Sequence, residues 1–455
     1  MYPVRRHLLS IPLLMCLVLT TACSPRAARP TPTAGPRSTA PTASGDLGSV
    51  QSAYALLMQR SVDHQSSSAL LSAALDGVAD SALRAGVVPP QVARPKFTDD
   101  PNQDWSLFAQ AFVAAVNRYH SKVYPSQMVQ AAIRGMVAKV DDCHTAYLDP
   151  TQYPDEVARL QGNTTIGGIG AALRKPKLAD PLVIWRVFDG TPAARAGLKR
   201  GDVILAVDGR DVSDLTLDGA VALIRGPEGS TVRLLIHRFG LTAPFEVAIV
   251  RGQVTPPIVE AAMLQNRVGY LRIDSFPDSV VDQVTAVLDT FDRQGARVWV
   301  IDLRNNGGGT LQAESSLLSK LIPDGLLFYV WDREGKRTDF RADGSYRGHV
   351  APMVVLVNEG TGSGGEMFAA AIQDYKLGRV VGARTAGCVG TGRLFQLPDG
   401  SGLQVTVGNV LTGVSNRILN RIGVTPDVEV GMSLQDLIEG RDPQLDAALR
   451  LAAAS

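Results

Sequence analysis

This chain of 455 residues has few cysteines, almost no net charge and few long apolar runs. Four cysteines are too few for a scaffold that depends on disulfides. Forty-five basic residues against 44 acidic ones leave a formal charge of +1, and this balance argues against a nucleic-acid partner. Beyond the N-terminal leader no run reaches 18 unbroken apolar residues, so the body is predicted to lack a transmembrane helix. What remains, 45% apolar and 20% charged, is typical of a globular protein long enough to bury a sizeable core.

The N-terminus has the pattern of an export signal. Arg5 and Arg6 precede an apolar run at residues 8–19, which is shorter than the roughly 20 residues that a bilayer requires. The small residues at 20–22 before Cys23 resemble a bacterial lipoprotein signal, so we predict a signal at residues 1–23 and lipidation of Cys23. The alternative is ordinary cleavage, which would give a secreted protein. We expect an exported cell-envelope lipoprotein, held by its lipid anchor alone on the extracytoplasmic face of a bacterial membrane.

Changes in texture divide the rest of the chain. Residues 24–45 are rich in Pro, Ala, Thr and Ser and are predicted to be a disordered tether. Residues 46–150 have helical spacing, and residues 151–253 contain short strands separated by glycines. In residues 254–455 strands alternate with helices, which indicates an α/β core. The predicted fold class is therefore α/β (α+β).

A short sequence echo lies in the helical region. Residues 73–78 read Ala-Ala-Leu-Asp-Gly-Val, and residues 131–136 read Ala-Ala-Ile-Arg-Gly-Met. Two interpretations are open: a duplicated helix pair, or the ordinary similarity of alanine-rich amphipathic helices. One echo of six residues favours the second.

A glycine motif opens the segment of short strands. It consists of Gly167, Gly168, Ile169 and Gly170. Such glycines let backbone N–H groups converge on an anion such as a C-terminal carboxylate, although alone they also serve as plain turns. Together with Gly-Thr-Pro-Ala-Ala at 190–194 and Gly-Asp-Val-Ile at 201–204, the motif resembles a PDZ domain over about residues 164–251. The resemblance implies a sheet edge that receives a peptide strand and binds its terminal carboxylate.

Two glycine turns carry the chemistry of the last segment. The stretch at 302–309 reads Asp-Leu-Arg-Asn-Asn-Gly-Gly-Gly and can aim N–H groups into a cleft, as an oxyanion hole requires. Ser363 follows a strand and begins a helix, where the helix N-terminus favours developing negative charge. However, Ser363 and Glu366 also form the S-x-x-E pattern of a capping box. This stretch alone leaves nucleophile and helix cap equally open.

The order of these motifs resembles the C-terminal-processing (tail-specific) serine peptidases over roughly residues 105–450. Gly-Val-Thr-Pro-Asp at 423–427 matches the family's C-terminal strand, and the Asp-x-His-Thr stretch at 142–145 belongs to the same resemblance. It implies a crotonase-like α/β core with an inserted PDZ domain, no cofactor or metal, and protein or peptide substrates with free C-termini. It also implies a nucleophile and a set of oxyanion donors, which are Ser363 and the backbones of Gly364, Gly308 and Gly309.

One position departs from the family pattern. The family base is a lysine 25 residues after the nucleophile, and here 363 + 25 is Cys388. A serine hydroxyl is a poor nucleophile without a group to take its proton. His144 is the remaining candidate, because imidazole transfers protons near neutrality and some lysine-free relatives, of the nisin-resistance and tricorn types, use a Ser–His arrangement. A purely structural role for His144 is equally open.

Cys388 has three interpretations. It fills space beside Ser363, which is the favoured one, or forms a disulfide with Cys143, or acts as a thiol in catalysis. Zinc binding by Cys143, His144 and Cys388 lacks a supporting spacing, and no metal is predicted.

The predicted function is that of an extracytoplasmic serine endopeptidase that recognises proteins by their C-termini. The alternative is a binding protein, a catalytically inactive pseudopeptidase that keeps its PDZ domain. The retained Ser363 and intact glycine turns favour the enzyme. The oligomeric state does not follow from the sequence.

Overall fold

The computed structural model describes residues 43–163 and 165–454. The predicted signal with Cys23 and residues 24–42 of the predicted tether lie outside the described residues. Residues 43–45, the end of that predicted tether, are instead the first turn of a helix, so the tether prediction is wrong there. Among the helices in the described ranges, none is both long and apolar enough to cross a membrane.

Four amphipathic helices build the N-terminal region. They are α1 (Ala43–Arg60), α2 (Ser67–Arg84), α3 (Pro101–Tyr119) and α4 (Pro125–Val140). Asp100 begins α3 as an N-cap whose carboxylate accepts from the N–H groups of Asn102 and Gln103. The apolar faces share one core, which also takes in Leu403 and Val405 from the last segment of the chain. The helical region therefore packs directly on the α/β core.

The echoed sequences meet where α2 crosses α4. A Cβ on Gly77 would lie 2.2 Å from the carbonyl oxygen of Ala131, and one on Gly135 would lie 2.2 Å from that of Ala73. Each copy of the echo thus supplies the glycine that admits the other copy's backbone. The close crossing is a physical reason for the echo that applies with or without an ancestral duplication.

The second segment forms the PDZ fold. Its elements are β2 (Ile166–Gly168), β3 (Ala171–Arg174), β4 (Leu182–Val187), α6 (Pro192–Arg195), β5 (Val203–Val207), β6 (Arg210–Asp211), α7 (Leu217–Ile224), β7 (Thr231–His237), β8 (Phe245–Val250) and β9 (Gly252–Val254), after β1 (Ala146–Leu148) and α5 (Gln152–Leu160). The antiparallel sheet has the order β3-β4-β5-β7-β8, so β3 is an edge strand. Strands β2 and β9 pair with each other where the chain enters and leaves this fold.

The last segment forms the α/β core. Its elements are β10 (Val259–Leu264), a 3-10 turn (Gln265–Arg267), β11 (Val268–Ile273), α8 (Val280–Arg293), β12 (Val298–Asp302), α9 (Leu311–Leu321), β13 (Leu326–Asp332), β14 (Arg337–Arg341), β15 (Met353–Val357), α10 (Gly364–Asp374), β16 (Gly378–Gly382), β17 (Thr391–Gln396), β18 (Gly402–Thr412), β19 (Val428–Glu429), α11 (Leu434–Ile438) and α12 (Pro443–Ala454). The main sheet has the order β10-β11-β12-β15-β16-β19 and is parallel from β11 onward. Helices α8, α9 and α10 cover one face and α12 the other.

A second sheet ties the distant parts of the chain together. Strands β1, β17 and β13 all pair antiparallel with the long strand β18, and β14 adds to β13. Since β1 begins two residues after His144, this pairing carries the end of the helical region to the core. One compact unit takes in the helices, the PDZ fold and the core.

A buried ionic network lies where the PDZ fold meets the core. Arg304 forms ion pairs of 2.7 Å with both Asp302 and Asp442, and its guanidinium lies 5.6 Å from the ring centre of Trp185 on β4. Burial alone would raise the pKa of the Asp302 carboxyl, but Arg304 and then Arg272 outweigh burial and hold that pKa well below its usual range. The Asp-Leu-Arg motif is therefore structural, and it seats the PDZ sheet beside the glycine turn that follows.

The mixed α/β class is confirmed. The predicted helices and core strands are present, but the stretch at 423–427 precedes β19 instead of forming it. In that stretch the Asp427 carboxylate accepts a hydrogen bond from the N–H of Val380, and this bond holds the loop against β16.

We predict that Gly77→Ala destabilises the protein. Alanine is the better helix former by about 1 kcal/mol, yet forcing a methyl group into a packed crossing typically costs about 1–3 kcal/mol, so the clash should win. Thermal denaturation measures the net effect.

Gly48→Ala in α1 is the matched control, because a Cβ there meets nothing within 4 Å. It should leave the melting temperature unchanged or raise it. An equal response at both positions would contradict the close crossing.

Candidate active site

Two neighbouring parallel strands deliver the site loops to one edge of the main sheet. Strand β12 ends at Asp302 and β15 ends at Val357, and the carboxyl ends of paired parallel strands lie side by side. Asn306, fully buried, joins the loops that follow. Its carbonyl accepts from the N–H of Gly362 at 2.8 Å, and its side-chain amide donates to the carbonyl of Ile273 at 2.9 Å.

The backbone at Ser363 differs from that of an ordinary helix cap. Thr191, Thr216, Thr310 and Ser433 begin their helices in the extended conformation and accept a capping hydrogen bond. Ser363 instead has φ 49° and ψ −120°, a backbone conformation that residues with a side chain rarely adopt. Ser363 also forms the capping-box pattern with Glu366, but its strained strand-to-helix turn favours a nucleophile over a simple cap.

The structure leaves fewer candidate oxyanion donors than the sequence predicted. Gly308 was predicted as one, but its N–H donates to Oδ1 of Asn306 at 2.8 Å. What Gly308 contributes is space, since a Cβ there would lie 2.7 Å from the Cβ of Ser363 and 2.6 Å from the nitrogen of Gly364. Gly309 lines the cleft and Gly364 is the first residue of α10, so these two N–H groups remain as the candidate pair.

Glu366 holds the nucleophile turn to the loop at 385–388. Its carboxylate, fully buried, accepts from the hydroxyl of Thr385 and from the N–H groups of Gly387, Cys388 and Ser363, at 2.5, 2.8, 2.8 and 3.1 Å. Burial raises the pKa of Glu366, while these four hydrogen bonds oppose the shift. In return Ser363 donates its N–H to the carbonyl of Cys388 at 2.8 Å.

A disulfide brings His144 to the same loop. Cys143 and Cys388 are bonded, although 245 residues separate them. Nδ1 of His144 lies 3.3 Å from the sulfur of Cys143 and 3.5 Å from that of Cys388. Of the three interpretations of Cys388, the disulfide is the one present, and the favoured space-filling role is wrong.

The turn that carries His144 is built by Asp142. The Asp142 carboxylate accepts from the N–H groups of His144 and Thr145 at 2.9 and 2.5 Å and from the Thr145 hydroxyl at 2.7 Å. Burial lowers the pKa of the His144 ring, and the charge of Asp142 offsets part of that shift. His144 is therefore neutral, and able to accept a proton, at neutral pH.

These groups share one cleft of about 470 Å³. It is lined by Cys143, His144, Arg159, Leu160, Gly307, Gly309, Thr310, Leu311, Glu314, Ser363, Cys388, Gly390, Thr391, Gly392, Leu394 and Gln404. No lysine is among the described residues that line it. Ser363 and His144 face this cleft together without a hydrogen bond between them in the described structure, so any proton transfer requires substrate-bound closure or a bridging water.

Three possible metal ligands lie close together in the cleft, at Cys143, His144 and Cys388. The sulfurs of Cys143 and Cys388 and a ring nitrogen of His144 lie within 4.8 Å of one another. Sulfurs bonded to each other offer no thiolate, which is the form that binds zinc. The oxidised cluster does not fit a zinc site.

The predicted peptide-binding motif lies on a separate groove. Gly168, Ile169 and Gly170 line a cavity of about 300 Å³ between edge strand β3 and helix α7, while Gly167 pairs with Gln253 in the short sheet. An apolar groove beside a free strand edge is the arrangement that accepts an added peptide strand.

Sequence reasoning missed two buried side chains at this site. Asn306 bridges both glycine turns, and Glu314 faces the cleft from α9. The signal for Glu314 was available, because it interrupts the apolar stripe formed by Leu311, Leu317 and Leu321. A carboxylate on a buried helix face is rare without a purpose.

The nucleophile turn, the glycine turn and the cleft define a serine-type peptidase, and comparison with known proteins gives its family. Residues 267–430 match the model of peptidase family S41, and residues 183–238 match that of a PDZ domain. The carboxyl-terminal-processing protease of Synechocystis sp. is 34% identical over 359 residues, which cover 77% of this chain and 81% of that protein. The carboxy-terminal processing protease CtpA of Bacillus subtilis is 29% identical, over 70% of this chain and 67% of that one.

A solved structure agrees. The photosystem II D1 C-terminal processing protease superposes with a TM-score of 0.54 at 26% identity, over 90% of this chain and 97% of that one. The chain belongs to peptidase family S41, among the carboxyl-terminal-processing proteases, and is a serine-type hydrolase that acts on protein substrates.

We predict that Glu366→Gln destabilises the protein by about 1–3 kcal/mol. The NH₂ group of a glutamine would face the N–H groups that now donate to the carboxylate. A buried donor left without an acceptor costs about 1–3 kcal/mol. Urea denaturation measures the change.

Glu334→Gln is the control, because Glu334 is an exposed turn residue and the same change in chemistry should have no effect there. Equal stability of both variants would contradict the role assigned to Glu366.

Proposed function

We propose that this chain is a cell-envelope serine endopeptidase in which Ser363 is the nucleophile and His144 is the general base. The observation that carries the proposal is the composition of the cleft. Ser363 in a strained turn, the N–H groups of Gly309 and Gly364, and a neutral His144 line or adjoin it, and no lysine of the described chain does so. Cys388, the position at which the family resemblance expects the lysine, is bonded to Cys143.

The chemistry follows from these groups. The Oγ of Ser363 attacks the peptide carbonyl while its proton passes to His144, and the carbonyl oxygen takes up negative charge facing Gly309 and Gly364. His144 then protonates the leaving amine as the C–N bond breaks, which leaves an acyl ester on Ser363. A water molecule, deprotonated by His144, hydrolyses the ester and returns the enzyme to its first state.

The disulfide has a positioning role in this proposal. The bond joins the His144 turn covalently to the loop at 385–390, and both sulfurs touch the imidazole. A fixed base matters because a misplacement of about 1 Å can reduce a rate by about a hundredfold. The bond thus stands in for the lysine by fixing a different base near the same place.

The PDZ groove selects the substrate in this proposal. Edge strand β3 and the glycine loop at 168–170 would bind the C-terminal residues of a protein, and the chain upstream would then reach the cleft. We further propose that the protein is exported and that lipidated Cys23 anchors it to the extracytoplasmic face of a bacterial membrane. The oxidised Cys143–Cys388 pair supports this location, since disulfides persist in oxidising compartments.

We predict that Ser363→Ala and His144→Ala each reduce hydrolysis of an unstructured protein with an apolar C-terminus by at least a thousandfold. The lowered pKa of His144 also predicts that kcat/KM falls on acidification with a midpoint below 6.5, the ordinary histidine value, because the base must be neutral. Initial rates from pH 4 to 9, measured by the release of new amino termini, check both statements.

The matched control restores the family's base. In a Cys143→Ala/Cys388→Lys background, a lysine at 388 should support activity that no longer needs His144 and that rises toward alkaline pH. Full activity of His144→Ala in the wild-type background would show that His144 is not the base.

We predict that breaking the disulfide lowers both activity and stability. Cys143→Ser/Cys388→Ser should lower kcat at least tenfold with a smaller change in KM, because the base becomes mobile while the substrate contacts remain. Loss of the long-range crosslink should also cost about 2–4 kcal/mol of stability. Titration of the wild type with a dithiol should reproduce the loss of activity, and reoxidation should reverse it. Activation by the dithiol would instead mean that the bond blocks a catalytic thiol.

A further inference from the structure

Glu314 is a buried carboxyl with no internal partner. Its side chain on α9 is 1% exposed, and its Oε1 is among the buried polar atoms that lack a hydrogen-bond partner in the described chain. Burial is the one cause that raises the pKa of this carboxyl well above its usual range, with no hydrogen bond or cation opposing it. Glu366, also buried beside Ser363, accepts four hydrogen bonds, so the fold satisfies one carboxylate of this site and leaves the other open.

The carboxyl lies at the centre of the site. Its Oε2 is 3.1 Å from the point where a Cβ on Gly364 would stand, and Gly364 follows the nucleophile. Glu314 lines the cleft together with the side chains of Leu160, Leu311 and Leu394. The cleft therefore places three leucines and one acidic group close to Ser363, among lining residues that are otherwise mostly polar or glycine.

The other charged or titratable groups that line the cleft do not neutralise Glu314. The guanidinium of Arg159 is bound to Glu156 on its own helix at 2.7 Å. His144 is neutral, and the sulfurs of Cys143 and Cys388 are bonded to each other and do not titrate. Among the described residues that line the cleft, none supplies a cation to Glu314.

We propose that Glu314 is a specificity-determining residue and that it binds the lysine or arginine side chain of a substrate residue next to the bond that is cleaved. A long basic side chain lays its methylene stem against apolar surface and carries a cation at its tip, which matches a cleft that offers leucine side chains beside one carboxyl group. The cation of the substrate would pair with the Glu314 carboxyl, which has no partner among the described residues. The proposal rests on the proposed function, since it takes Ser363 as the nucleophile.

The first experiment maps cleavage sites. The full chain is incubated with β-casein, an unstructured protein, and the cleaved bonds are identified by mass spectrometry for wild type, Glu314→Gln, Ser363→Ala and the exposed control Glu334→Gln. Wild type and Glu334→Gln should cut preferentially beside Lys and Arg. Glu314→Gln should lose at least tenfold in kcat/KM at those bonds and little elsewhere, a change in ratio that a merely structural role would not produce.

Two peptides that differ in one group sharpen the test. Ala-Ala-Lys-Ala-Ala and its norleucine analogue have side chains of similar length, but only the first carries a charge. In the Ser363→Ala protein the lysine peptide should raise the melting temperature and the norleucine peptide should not. The difference should vanish in Ser363→Ala/Glu314→Gln. This readout needs no turnover, so it decides the role of Glu314 even where casein is not cut.

The charge state has its own readout. Because its pKa in the folded protein is raised, ionised Glu314 destabilises the free enzyme, and the destabilisation grows as pH rises above the ordinary glutamate value of 4.5. Glu314→Gln should therefore raise the melting temperature more at pH 8 than at pH 4.5.

The outcomes separate the two proposals. Cleavage that persists in Ser363→Ala overturns the proposed function. Cleavage that needs Ser363 but ignores basic residues, or equal thermal shifts with the lysine and norleucine peptides, overturns the role of Glu314 alone.

Discussion

The buried carboxylate of Glu366 is the contact on which the site depends. Four donors from two loops converge on it, and one of them is the N–H of Ser363, the proposed nucleophile. A positive φ at Ser363 is unfavourable for a residue with a side chain, so the turn persists only because surrounding contacts hold it. The same carboxylate fixes Cys388, and through the disulfide it fixes the turn that carries His144. One side chain thus connects the nucleophile, the loop where the family's lysine is expected and the candidate base.

The sheet explains why those loops are neighbours. Parallel strands β12 and β15 end at the same edge, and the loops that follow them are crosslinked by Asn306. On the opposite side of the first loop, Arg304 bridges Asp302 and Asp442 and stacks near Trp185 of the PDZ fold. Residues 302–309 therefore contact the PDZ fold at one end and border Ser363 at the other.

Buried acids illustrate how satisfied and unsatisfied groups divide between structure and function. Asp302 and Glu366 have full sets of partners, and their loss would damage the fold. Glu314 has no hydrogen-bond partner for its Oε1 among residues 43–163 and 165–454, although a leucine could fill the same position. Stability lost at a site without structural gain is typical of groups kept for a ligand. This contrast distinguishes Glu366, which holds the cleft together, from Glu314, which we propose binds a basic side chain of the substrate.

Local patterns in the sequence determined most of the elements: the four helices, the PDZ strands, the α/β alternation and the glycine turns around Ser363. Period, turn chemistry and capping act over a few residues, and these can be read directly. Other features depend on groups brought together from far apart. The disulfide joins residues 245 positions apart, the N–H of Gly308 is taken by Asn306, and the glycines of the echo matter because two helices cross there. The sequence by itself specified which residues could do chemistry. The tertiary structure decided which donors stay free, which histidine shares a cleft with Ser363 and which of the described carboxylates lacks a partner, because hydrogen bonds, burial and crosslinks between distant segments exist only once the chain has folded.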